Sequence, residues 1–217
     1  MRGILACIAV FFSGVSCAQT VSVEQLLHRV PAGAAREFRA SAKAFGSSDL
    51  KQAIAHCRKA IEADPDNAAA HNDLGVLYLD DGRTGEAIVE FSRAVAIQPR
   101  LTAALMNASF ASLALGHPED SERFARRALD IDASDRHAHL LLGWSLVTQY
   151  RYTPAALESL RIAEREFPEA RLAAADVLVH QGSLEAARAE VEAYLASEST
   201  EHKSLAETWL RLLTLQD

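Results

Sequence analysis

The chain has 217 residues, 49% of them hydrophobic and 24% charged, a composition that excludes a disordered polypeptide and suffices for one domain with a sizeable core. Its 22 basic against 29 acidic residues leave a formal charge of −7, the wrong sign for a nucleic-acid binder that tracks phosphates. No block of like charges marks a basic arm or an acidic tail.

The first segment, MRGILACIAVFFSGVSCAQT, differs from everything after it. Arg2 supplies a short positive start and residues 3–12 an apolar run too brief to span a bilayer. Ser16, Cys17 and Ala18 then place small residues where a signal peptidase cuts, so residues 1–18 read as a cleaved secretory signal peptide. An uncleaved anchor and a lipoprotein leader acylated at Cys17 are the alternatives. Against the second, Gly14 stands where the bacterial lipoprotein motif prefers leucine. Cleavage after Ala18 leaves Cys57 as the lone cysteine, with no internal disulfide and no C-x-x-C pair. Cys57 lies in an apolar helical register and reads as a small buried hydrophobe. Residues 19–33 form a linker with a short helix over 22–30, stopped by Pro31.

From residue 34 the sequence repeats. Pro65 and Pro99, Ala53 and Ala87, Ile54 and Ile88, and Ala60 and Ala94 are each separated by the same 34 residues, and Gly82 to Gly116, Ala94 to Ala128 and Ile97 to Ile131 continue the step. The apolar period is helical throughout, with no alternating stretch that reads as a strand. In 68–101, Leu74 and Tyr78 share a helix face and Gly75 and Ala87 are small where two helices cross. Gly82 ends the first helix and Pro99 follows the second. The units fall at 34–67, 68–101, 102–135, 136–170 and 168–201. The third has Ser109 and Ser121 in place of Gly75 and Ala87, the fourth carries an inserted residue in the turn 148–154, and the fifth lacks the Leu-Gly pair. Residues 202–217 read as a capping helix whose apolar positions 205, 209, 210, 212 and 213 close the last unit.

A 34-residue helix–turn–helix period with these positions occupied resembles the tetratricopeptide repeat family over residues 34–201. The resemblance implies an all-α, right-handed α-solenoid of about five units with a C-terminal capping helix. It also implies that the first helix of each unit lines a concave groove. Carried over residue by residue, that groove presents Phe38, Asn72, Val76, Leu79, Met106, Phe110, Leu113, Leu140, Trp144 and Val147. The set is apolar with aromatics, the composition of a peptide-docking surface, although intramolecular packing explains such residues as well. Family members that clamp a carboxylate use groove lysines and arginine. Here only Asn72 and Asn107 come near that pattern.

Isolated polar residues offer little chemistry. His71 has Leu74 and Gly75 at ligand spacing, so it reads as a packed imidazole in a slot where the family carries a large aromatic. Asp80 and Asp81 read as solvated turn residues, and His137 and His139 point apart. Asp176 and His180 are four apart and read as a surface ion pair, short of the three ligands a catalytic zinc needs. No nucleophile elbow, phosphate loop or H-E-x-x-H is present. The expectation is an exported protein-interaction scaffold in the periplasm or outside the cell. It binds a protein or peptide and no nucleic acid, needs no cofactor or metal, catalyses nothing, and has no membrane span once the leader is removed. A self-assembling envelope component is the alternative.

Overall fold

The computed structural model describes residues 30–199 and 202–215. The leader, Cys17 and all but the last residue of the short helix expected over 22–30 lie outside them. Every element among the described residues is an α-helix: α1 (Ala32–Gly46), α2 (Leu50–Ala63), α3 (Ala68–Asp80), α4 (Thr84–Ile97), α5 (Thr102–Ala114), α6 (Pro118–Leu129), α7 (Arg136–Thr148), α8 (Pro154–Ala163), α9 (Ala170–His180), α10 (Leu184–Leu195) and α11 (Lys203–Thr214). This is the all-α, helix-hairpin solenoid class, and none of these helices is long and apolar enough to cross a membrane.

Local chemistry sets the spacing. The residue preceding each of α3, α5, α7 and α9 recurs at the 34-residue step: Asn67, Leu101, Asp135 and Glu169. Asn67 and Asp135 cap their helices directly, accepting hydrogen bonds from the amides of Ala70 (3.0 Å) and Ala138 (2.9 Å). Gly82, Gly116 and Gly182 follow the helix ends with φ of 73°, 76° and 76°, the left-handed conformation that stops a helix at low cost for glycine. Ser48 and Tyr150 stand at the same register as Gly82 and Gly116 and adopt it without that freedom, at φ 60° and 57°. For Tyr150 this conformation costs about 1 kcal/mol.

The chain divides into two compact bodies, with the boundary between His117 and Pro118, inside the third expected unit. In the first body α1 pairs with α2 and α3 with α4, while α2 packs on α3, α4 on α5, and α3 runs beside α5. In the second, α7 pairs with α8 and α9 with α10. There α6 packs on α7, α8 on α9, α7 runs beside α9, and α11 lies on α10. Each core is built from the repeat positions: Leu74, Tyr78, Ala87, Phe91 and Ala94 in the first body, Leu141, Ala156, Leu160 and Ala163 in the second, all buried.

The small residues mark where helices touch. A Cβ added to Gly75 would lie 2.5 Å from Phe91 Cε1, and one added to Gly143 would lie 2.6 Å from Leu160 Cδ2. Ser41 and Ala175 fill the equivalent slots in units one and five, both buried, and Ser41 Oγ donates to the Ala53 carbonyl at 2.9 Å. Ser121, whose place the sequence left open, is fully buried and accepts a hydrogen bond from Ser145 of α7 at 2.8 Å. The capping helix fits less completely than expected. Ala206 and Leu213 are buried, but Leu212 is 57% exposed.

A polar tie recurs between the two helices of a hairpin. Its partners are always 19 residues apart: Glu37 Oε2 with His56 Nδ1 at 2.8 Å, His71 Nδ1 with Glu90 Oε2 at 2.6 Å, and Arg171 Nη1 with Glu190 Oε2 at 2.8 Å. The register is the same in units one, two and five, while acid and base exchange helices in unit one. The His56 hydrogen bond holds the Glu37 carboxyl below its ordinary range. His71 and Glu90 are both buried, which makes their tie the one most sheltered from water.

Candidate functional site

The candidate surface is the outward face of the first helix in each hairpin. In the first body it is carried by α3 and α5, which lie side by side. Asn107 Nδ2 donates to Asn72 Oδ1 at 2.9 Å, so the two asparagines resembling clamp residues are engaged with each other. Both are buried. Helix α5 is apolar nearly all round and contains no charged residue, as a helix covered on most sides must be. Met106, Phe110 and Leu113 on it are buried to 2%, 8% and 6% exposure. On α7 in the second body, Leu140, Trp144 and Val147 are likewise buried.

Three of the ten expected residues keep substantial surface: Phe38 on α1, and Val76 and Leu79 on α3, all half-buried. The structure adds Phe45, 47% exposed, at the register of Leu79 one unit earlier. Subtracting 34 from Leu79 would have found it. On either side of Val76 along α3 lie two exposed acids, Asp73 and Asp80. Asp73 keeps accessible surface yet sits low among packed helices, and dehydration pushes its carboxyl up to about 6, opposed by the Asn72 amide. Dehydration raises Asp80 as well.

The remaining polar candidates resolve as packing. His71 accepts no metal: Nδ1 meets Glu90, and Nε2 meets the Pro65 carbonyl at 3.1 Å. Both partners are oxygens, so both ring nitrogens are engaged within the protein. His139 repeats half of this arrangement, with Nε2 on the Ala133 carbonyl at 3.0 Å. His137 instead turns to the Phe167 ring, 5.2 Å between centroids. Asp81 reaches Arg83 at 3.5 Å. Burial pushes the Cys57 thiol up to about 12, helped by the charges of Asp73 and Glu90, so it is an inert core sulfur.

Asp176 corrects the expected surface ion pair. Its Oδ1 lies 3.3 Å from His180 Nδ1, but Asp176 is only 2% exposed, because α9 is flanked by α7, α8 and α10. Burial raises its carboxyl above the ordinary range against the pull of His180. The Tyr152 ring stacks on His180 at 3.7 Å and 5°, and burial lifts its phenol to about 12. Among the described residues no group of three or more His, Cys, Asp or Glu is placed to hold a metal ion.

Helix hairpins tied at one register, with small residues at each crossing, define a helical repeat scaffold. Two tetratricopeptide repeat profiles match the sequence, over residues 44–100 and 153–201. The chain belongs to the tetratricopeptide repeat family, whose scaffolds are non-catalytic and bind proteins or peptides. No curated protein matches it in sequence. Solved structures similar to it share the fold at low identity. MamA from Desulfovibrio magneticus RS-1 is 12% identical with a TM-score of 0.71, the match covering 79% of this chain and 100% of that one. YrrB, described as a TPR protein with an unusual peptide-binding site, is 17% identical with a TM-score of 0.70, covering 81% and 91%. PilW, described as a widely conserved type IV pilus biogenesis factor, is 20% identical with a TM-score of 0.66, covering 86% and 92%.

Proposed function

We propose that the chain is an exported scaffold that docks a segment of a protein partner on the first-helix faces of its hairpins. The observation that carries this reading is the surface left on Phe38, Phe45, Val76 and Leu79, apolar side chains at groove register that internal packing does not use up. Burial of Met106, Phe110 and Leu113 makes them the floor and support of such a face in the first body, with docking beginning at the half-buried set, while Leu140, Trp144 and Val147 play that part within the second body. The peptide-binding site in YrrB's description supports the same use of the fold.

Val76→Asp/Leu79→Asp should reduce binding of a partner peptide at least about tenfold while circular dichroism and the melting temperature stay close to wild type, since both side chains are already part-solvated. Undiminished binding by this variant would move the site elsewhere.

Export is proposed from the leader alone: the charged start at Arg2, the apolar run and the small residues before Gln19. Amino-terminal sequencing of protein from its native cells should begin at Gln19. A mature chain beginning at Met1 would remove export from the proposal.

A further inference from the structure

In the first body Glu37, Asp81, Glu86 and Glu90 each hold a cation. Arg83 binds both Asp81 and Glu86, His71 and Arg93 meet Glu90, and Arg36 and His56 meet Glu37. Asp73 and Asp80 are different. Neither belongs to any ion pair among the described residues, and Asp73 meets only the Asn72 amide, at 3.5 Å. They are seven residues apart on one helix, so two turns bring them back to nearly the same side, about 10 Å along the axis. Val76 falls between them and Leu79 beside them, both part-accessible. The neighbouring helix α5 offers no charge of either sign. Two exposed carboxylates at the edge of an apolar strip, without counter-charge, leave a negative face that the chain itself does not neutralise.

We infer that the α3 face selects a segment in which lysine or arginine alternates with apolar residues, the apolar groups covering Val76 and Leu79 while the cations bond Asp73 and Asp80. This rests on the proposed docking face and specifies its partner by charge. An acidic or neutral apolar segment would bury the two carboxylates without compensation, so the face discriminates against it.

The inference has a pH signature. Asp73 loses its charge as pH falls through about 6, and with it the attraction for a cation. The groups facing it from the packed helices do not reproduce that change. Cys57 of α2 is a neutral thiol throughout this range, Glu90 of α4 is engaged by His71 and Arg93, and α5 carries no titratable side chain.

Fluorescence anisotropy on the purified chain tests this with three short amphipathic peptides. They share identical apolar positions and carry lysine, glutamine or glutamate at the others. At about pH 8 and low salt the lysine peptide should bind about tenfold tighter than the glutamate peptide, the scale of one or two part-exposed ion pairs. That preference should largely vanish in Asp73→Asn/Asp80→Asn and should shrink in the wild type at about pH 5. Because the whole chain is acidic, a charge-matched control is needed. Glu62→Gln/Glu158→Gln removes two exposed carboxylates elsewhere and should keep the preference. An equal loss in the control assigns the effect to net charge and overturns the inference. Equal binding of lysine and glutamate peptides by the wild type also overturns it but leaves apolar docking standing. Binding of none of the three overturns both.

Discussion

Replacing Glu90 with alanine should destabilise the protein by about 3 kcal/mol, the cost of leaving a buried hydrogen-bonding group without its partner. The tie spans α3 and α4: Glu90 Oε2 meets His71 Nδ1 at 2.6 Å, Oε1 meets Arg93 at 2.9 Å, and His71 Nε2 is held by the Pro65 carbonyl. Removing the carboxylate leaves a buried imidazole with one ring nitrogen facing an apolar cavity. The double variant His71→Leu/Glu90→Leu should cost less than the sum of its single changes, because an apolar pair of similar volume has nothing to leave unsatisfied. Denaturant midpoints for the four proteins give the coupling directly. Additive losses would show that the pair does not act as a unit. The corresponding change at Glu37 should cost little, because its partner His56 is 30% exposed and water can replace the lost bond.

Gly75→Ala should be the most damaging single methyl addition in the first body, at about 1–3 kcal/mol. The new Cβ meets the Phe91 ring at three atoms, 2.5, 2.7 and 2.9 Å away, and Phe91 is fully buried with no free side to turn into. Gly143→Ala in the second body meets Leu160 at 2.6 Å and should cost less, since an aliphatic side chain can change rotamer where a ring cannot. The two variants differ in how they can be rescued. Adding Phe91→Leu to Gly75→Ala should recover part of the loss, as the smaller side chain yields the space. Thermal melts in which Gly75→Ala matches wild type would mean that the crossing is looser than these distances require. A methyl at Gly85, by contrast, meets nothing within 4 Å, so Gly85→Ala is a natural control.

Much of this was legible in the residues alone, for a physical reason. The crossing at Gly75, the stop at Gly82 and the prolines at 65 and 99 after second helices are local demands, and a local demand repeated every 34 residues shows as a period. The tie between His71 and Glu90 escaped because its chemistry is not fixed to a residue type. Unit one exchanges acid and base, unit five uses arginine, and unit three has Leu105 and Phe124 at the same two positions. The register persists while the side chains change, so no motif survives.

The groove residues were found by register, but register says which way a side chain points and not what lies over it. Val76 and Met106 carry comparable apolar side chains on the same face, yet one is half-buried and the other 2% exposed. Asp176 shows the converse. A carboxylate four residues from a histidine reads as surface chemistry until three helices are seen to flank it. Asp73 was passed over because an acid in a helix is ordinarily a solvated one. Only the absence of a counter-charge beside an apolar strip distinguishes it.

The central claim is that partner binding uses the first-helix faces, and amide hydrogen exchange tests it most directly. A peptide selected for binding to the purified chain should slow exchange in α3 around Val76 and Leu79 and in α1 around Phe45, leaving the second helices at Val89 and Ile97 unchanged. Protection confined to Val89 and Ile97, with α1 and α3 exchanging as in the free protein, would contradict it.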